Sequence, residues 1–398
     1  MDVSKLDGST LNGKSGGVLS LAMPTAVLQL APRLDDDVGR EALDVARHLR
    51  SRGGRSLVAS GGGALLRELA ASGVTHLQAP LDRRGPLVRW HSSTRLARAI
   101  RAHRLDAVHA HTAGLAAVAA AAARSALVPY IVTVRDRLPP GAIPDALVKA
   151  DGLIAPSEFV AESAARALEL PRERLRVVHC WADLAELDPE RVRGYRVSAL
   201  AERWDIAPGA RVVLVPPLPA GDRGHLVLLQ AMARLPRVDF LVLIGGALDT
   251  GDRYGAEVLA AVRRSGLGDR VRFGGRLDDL AATVALADLV VLPATEPDPT
   301  GFFAVAAQAM GRPVIVSNRG ALPEAVMPAL TGWMVPAEDM GELAAALDLA
   351  LAMDEGMRHR LAARARAFVT DEFGLAANAD RVLTVYRGLM RSSLAPTG

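Results

Sequence analysis

The strongest constraint on this chain is an alternation, run through twice, between short apolar segments and stretches whose apolar residues recur at helical spacing. In the first half, residues 26–30, 56–59, 76–79, 107–109, 130–134, 152–155 and 175–178 have strand length, and 39–52, 65–71, 92–103 and 114–123 between them have helical period. In 39–52, for example, the apolar positions are Ala42, Val45, Ala46 and Leu49. Strands that alternate with helices predict a mostly parallel sheet covered on both faces. The pattern lapses into charge, Pro and Gly at 185–209, then resumes: strands at 212–215, 240–244, 271–273, 289–292 and 314–316, helices at 226–235, 255–264, 280–285 and 302–310. Three more helices follow at 341–353, 358–368 and 376–390. The expected fold class is α/β, with two tandem doubly wound domains facing across a cleft. We divide the chain into a mobile leader at 1–24, an N-terminal domain at 25–190, a linker at 191–209, a C-terminal domain at 210–372, and a helix and tail at 373–398. A length of 398 residues suits two such cores.

Composition narrows the function classes. Cys180 is the only cysteine, so no internal disulfide forms; a buried free thiol in a cytoplasmic protein is expected. The basic balance (pI about 9.3, net charge +3) is carried by arginine, since lysine occurs only at Lys5, Lys14 and Lys149. These charges are scattered and aromatics are few, which argues against a nucleic-acid surface. The exception is residues 83–104, with seven arginines plus Trp90, His91 and His103. A solvated helix face is the plain expectation there. Leu87, Val88, Trp90 and Leu96 interleave with the arginines, however, and that suits peripheral contact with anionic lipid. No apolar run reaches the ~20 residues that span a bilayer.

Ligands of doubly wound sheets lie beyond the carboxyl ends of the strands, so a ligand shared by two such domains belongs between them. The most informative stretch is 293–326. After the strand at 289–292, Glu296, Pro297, Asp298, Pro299 and Gly301 enforce a loop, and the helix that follows aims the amides of Gly301, Phe302 and Phe303 at any anion in the crevice. Gly61, Gly62 and Gly63 follow a strand but lack the spacing of a dinucleotide fingerprint or P-loop, and a tight turn is expected. His109 and His111 end a strand on the cleft side. No carboxylate or cysteine cluster accompanies them at metal-ligand spacing, so no metal site is expected. An acceptor-side polar contact and an ordinary strand-end histidine both remain open.

Within residues 287–335, ADLVVLPA, the Gly301 turn, AAQAMGRPVIVSNRGALPEAV and the TGWMV that follows keep one order and spacing, and with them the chain resembles the family 4 glycosyltransferases. Weaker similarity runs from about residue 26 to 389. The resemblance implies a retaining transferase of GT-B architecture, with two Rossmann-like domains. Its C-terminal domain would take a nucleotide-diphosphate sugar as co-substrate and its N-terminal domain a glycan or lipid-linked acceptor, without cofactor. Cell-surface polysaccharide or lipopolysaccharide synthesis is the expected setting, at the cytoplasmic side of a membrane. The family's paired donor-site glutamates fall on Asp298 and Ala306, so one carboxylate is shortened and the ribose-binding one is a methyl group. Arg223 stands for the phosphate-binding lysine, and nothing stands for its partner arginine. The resemblance makes Asp298 and Arg223 the catalytic candidates, and Gly245, Gly246, Arg276, Leu277, Gly301, Phe302, Phe303 and Ala306 the donor-side ones. On the acceptor side or in the cleft it places Asp36 and Asp37, where the family has a glycine turn, and Arg135, where it has a histidine; His109 and His111 join them. A catalytically silent relative that keeps the fold for binding or scaffolding is the alternative expectation.

Overall fold

The structure, a computed structural model, describes residues 25–394 apart from 84, 139–143, 219–221, 223, 236–238 and 247–252. The first sheet comprises β1 (Ala26–Leu30), β2 (Arg55–Ser60), β3 (Thr75–Gln78), β4 (Ala107–Ala110), β5 (Tyr130–Thr133), β6 (Gly152–Ala155) and β7 (Leu175–Val177). The second comprises β8 (Arg211–Val215), β9 (Phe240–Gly245), β10 (Val271–Gly275), β11 (Leu289–Leu292), β12 (Val314–Ser317) and β13 (Trp333–Val335). Their orders are β3-β2-β1-β4-β5-β6-β7 and β10-β9-β8-β11-β12-β13. All strand pairings within the two sheets are parallel. The central strands of the second sheet are apolar because helices cover both faces; Leu289, Val290, Val291 and Leu292 of β11 are all buried. Strand order reverses between β1 and β4 and between β8 and β11, and a crevice opens at each reversal. The two-domain α/β architecture read from the sequence is therefore present.

Three features depart from the expectation. The helix Gly194–Arg203 occupies the segment expected to be a linker. Ala182, Leu187, Trp204 and Ile206 pack into the C-terminal core, and the Trp204 indole donates to the Gly274 carbonyl at 3.2 Å. The segment reads as a linker because its few apolar residues are spread among charges. Second, the helix Pro86–Ala102 begins earlier than the 92–103 expected, with Pro86 in its first turn, where a missing N–H costs nothing. Third, the helix Leu375–Leu394 leaves the C-terminal domain and completes the N-terminal one. Its Val382, Leu383 and Tyr386 are buried with Val27, Val45, Leu49, Ala107, Ile131 and Val178.

Candidate active site

A cavity of about 710 Å³ lies between the two crevices. Asp37, Glu41 and Asp44 on the helix Asp37–Ser51, and Arg135 after β5, form its N-terminal wall. Cys180, Trp181 and Asp183 on the crossover close one side, and Asp279, Thr300 and Phe302 form the C-terminal wall.

The C-terminal half is built on the stretch 293–326. Asp222, only 2 % exposed, accepts from the amides of Gly224 (2.6 Å), Thr295 (3.0 Å) and Glu296 (3.1 Å), tying the turn after β8 to the loop after β11. Asp298 accepts from the amides of Thr300 (2.8 Å) and Gly301 (2.7 Å), so one carboxylate oxygen shapes the helix entry. Gly301 takes a left-handed φ of 66° there. Three amides were expected to face an anion, and two are already engaged: Gly301 with Asp298, and Phe302 with the Thr300 hydroxyl at 3.3 Å. Of the three, the Phe303 amide is the one without an acceptor among the described residues. Ala306 is fully buried in the C-terminal core, and its methyl presents no surface to a ribose. The donor-side contact expected at Ala306 is therefore absent from the surface, because this helix face turns inward.

Gly245 and Gly246 end β9. A side chain at Gly245 would approach Leu277 to 2.8 Å, and the Gly246 amide donates to the Gly275 carbonyl at 2.7 Å. Arg276 is well exposed and pairs with Asp278 at 2.8 Å. These four lie at the ends of β9 and β10 and do not line the 710 Å³ cavity. Arg223 lies outside the described residues.

In the N-terminal half, the successive aspartates Asp35, Asp36 and Asp37 are turned to different tasks. Asp35 accepts from the Ala64 amide and pairs with Arg33. Asp36 caps the helix Asp37–Ser51 through the Gly39 amide at 2.9 Å, and Asp37 alone faces the cavity. Gly61 to Gly63 lie against the first loop, where a side chain at Gly63 would meet the Leu34 carbonyl group at 2.5–2.6 Å. Arg135 lines the cavity and is held by Glu41, a residue the sequence reading missed. Burial pushes the Glu41 carboxyl up, but Arg135 and then His111 outweigh it and hold its pKa below the ordinary range. The signal for Glu41 was its place one turn into a helix that opens at a switch point.

The two histidines do not reach the cleft. His109 is fully buried, bonded to Tyr386 Oη at 2.7 Å and Thr133 Oγ1 at 2.8 Å, and burial followed by its neighbour His111 holds its pKa well below 6.5. His111 is buried too, and it touches the cleft only through Glu41, at 3.0 Å. The long C-terminal helix covers the position that sequence assigned to open cleft. Cys180 is a half-buried thiol in the cavity wall, its pKa pushed up to about 12 by desolvation and by Asp298, and it donates to the Thr300 carbonyl at 3.2 Å.

The N-terminal domain also grips the stretch 293–326 directly. Ser157 donates to the Pro299 carbonyl at 2.8 Å, and Glu324 accepts from the Glu158 and Phe159 amides at 2.8 and 2.9 Å, capping an N-terminal-domain helix from the opposite domain.

Two parallel doubly wound sheets with a cavity between their switch points define the GT-B class. Residues 38–186 match the family described as Glycosyltransferase Family 4, and residues 210–353 match Glycosyl transferases group 1. The chain belongs to the family 4 glycosyltransferases. It is 33% identical over 217 residues (54% of this chain, 48% of the relative) to D-inositol 3-phosphate glycosyltransferase of Mycobacterium sp. strain KMS. It is 32% identical over 241 residues (60% and 49%) to the protein of that name from Mycobacterium tuberculosis strain H37Ra. The matched segment spans about half the length of these curated relatives. In fold, the chain is similar to a glycosyltransferase from Rickettsia africae (TM-score 0.81, 21% identity, 93% of this chain and 99% of that one). It is also similar to Anabaena HepE in complex with UDP-glucose (TM-score 0.74, 21% identity, 91% and 99%).

Proposed function

We propose that this chain is a retaining glycosyltransferase that moves a sugar from a nucleotide-diphosphate sugar to a hydroxyl of an acceptor held by the N-terminal domain. The observation that carries this reading is the cavity itself, where Glu41 and Arg135 of one family-matched half face Thr300 and Phe302 of the other. The donor diphosphate sits toward the start of the helix Phe302–Ala309, whose Phe303 amide and partial positive charge stabilise the leaving group. Attack is from the face the diphosphate leaves, with a phosphate oxygen taking the acceptor proton. Asp298 acts by holding the loop, and Arg223 is assigned to the diphosphate through its family position. A uridine nucleotide is supported by the HepE complex.

A thermal-shift panel of uridine, guanosine and adenosine diphosphate sugars tests the reading. The matching donor at ~100 times its dissociation constant stabilises the folded chain by about 2.7 kcal/mol. A folded sample that responds to none of them would overturn the assignment in favour of a catalytically silent member of the family.

The acceptor is read as a glycan or a lipid-linked sugar, reached at the cytoplasmic face of a membrane, in polysaccharide or lipopolysaccharide synthesis. No helix among the described residues is long and apolar enough to cross a membrane. The helix Pro86–Ala102 supports peripheral contact, because Leu87 and Trp90 are 80% and 68% exposed on one turn, with Arg83 and Arg89 beside them. Co-sedimentation with anionic vesicles at low salt is expected, and Leu87→Ala with Trp90→Ala is expected to abolish it. Equal sedimentation with neutral and anionic vesicles would remove the membrane from the proposal.

A further inference from the structure

A continuous chain of buried side chains connects the C-terminal helix to the cleft. Thr133 Oγ1 lies 2.8 Å from His109 Nε2, and His109 Nδ1 lies 2.7 Å from Tyr386 Oη. Tyr386 Oη is 3.3 Å from the Gln29 side-chain amide, which is 2.8 Å from His111 Nε2; His111 Nδ1 is 3.0 Å from Glu41. Glu41 binds Arg135 with its other oxygen, and both line the cavity. Gln29, His109, His111 and Tyr386 are all fully buried.

Donor and acceptor matching assigns the protons. Glu41, ionised beside Arg135, only accepts, so His111 Nδ1 carries a hydrogen and donates to it. With Gln29 oriented so that its oxygen faces both Tyr386 and His111, its Nε2 is a buried donor without a partner. The two orientations of an amide have the same shape. Turned over, Gln29 Nε2 donates to His111 Nε2 and to Tyr386 Oη, and the tyrosine hydroxyl then donates to His109 Nδ1. His109 Nε2–H donates to Thr133. Every N–H and O–H donor from His109 to His111 is then satisfied, and the atom left unpaired is the Gln29 amide oxygen, which is less costly to leave unpaired than a buried N–H.

We infer that Tyr386 is a positioning residue for the cleft carboxylate: through Gln29 it fixes His111 with its proton on Nδ1, and His111 holds Glu41 beside Arg135, where it receives the acceptor hydroxyl. The inference rests on the cavity being the site of transfer. It explains why the last long helix returns to the first domain, since Tyr386 is 357 residues from Gln29 in the chain and within bonding distance of it in the fold.

The test is long-range ¹H–¹⁵N correlation of the imidazole rings in the full-length chain, with Tyr386→Phe and Gln29→Met as variants. In the wild type, His111 is expected with its proton on Nδ1 alone and His109 with its proton on Nε2 alone. In either variant His111 is expected to lose the single-tautomer signature, while the circular dichroism remains that of the wild type. With the donor found by the thermal-shift panel, kcat is expected to fall about ten-fold and KM for the donor to stay unchanged, as for a group felt only in the transition state. A wild-type His111 protonated on Nε2 or on both nitrogens, or a His111 signal unmoved in Tyr386→Phe, would overturn the inference. Absence of donor turnover would instead count against the proposed function, and the ring signals would still decide the proton assignment.

Discussion

Asp44→Asn is expected to raise the unfolding free energy near pH 7 by about 3 kcal/mol, with the gain vanishing toward pH 4. Asp44 is 6% exposed on the helix Asp37–Ser51, and burial raises its pKa from 3.8 to about 6 against the opposing effects of the Trp181 indole and Arg40. A carboxyl whose folded pKa lies above its unfolded one binds its proton more tightly when folded. Its contribution is complete below the unfolded value and is lost as pH rises through the folded one, so wild-type stability falls across roughly pH 4 to 6. Asparagine has no such loss, and its oxygen still accepts the Trp181 N–H now 3.1 Å from Asp44. Urea unfolding of both proteins at several pH values checks this. Parallel curves would show that the Asp44 carboxyl titrates at its ordinary value.

Gly320→Ala is expected to destabilise the C-terminal domain by about 3 kcal/mol and to weaken donor binding at least ~10-fold. Gly320 has φ +60°, and a Cβ there would lie 2.1 Å from the Asp298 carbonyl oxygen and 2.5 Å from its amide nitrogen. Those atoms are backbone and cannot rotate away, so the loop must move. Asp298 then loses its hold on the Thr300 and Gly301 amides, and the start of the helix Phe302–Ala309 shifts with it. Gly266→Ala separates the two causes, since Gly266 has φ +66° with nothing within 4 Å of the added atom. Strain alone predicts a loss of about 1 kcal/mol there. Equal losses at Gly266 and Gly320 would mean that the contact with Asp298 is relieved without effect.

The stretch 293–326 shows how the two kinds of information divide. Its loop, its helix start and its second strand are legible because Pro, Gly and apolar runs act locally. The use of its polar groups is not. Asp298 looks like a sugar ligand and binds two amides of its own loop, while Glu324, read only as part of a motif, reaches across to cap a helix of the other domain. Gln308 likewise donates to the Ala325 carbonyl at 2.6 Å and joins the two halves of the stretch. A carboxylate or amide side chain reaches only as far as a few ångströms, and sequence spacing carries no record of which atoms lie within that reach.

The sequence by itself determined the fold class and its two domains. Strand and helix periods, and the right-handed connections they require, are properties of neighbouring residues. Tertiary structure alone decided that residues 182–206 join the C-terminal core, that His109 is sealed beneath Tyr386, and that Glu41 rather than either histidine faces Arg135 in the cleft. The sealing of His109 depends on a helix near the end of the chain packing against a sheet formed near its beginning. Burial and hydrogen bonding between such distant segments follow from the packed shape, which no local pattern encodes.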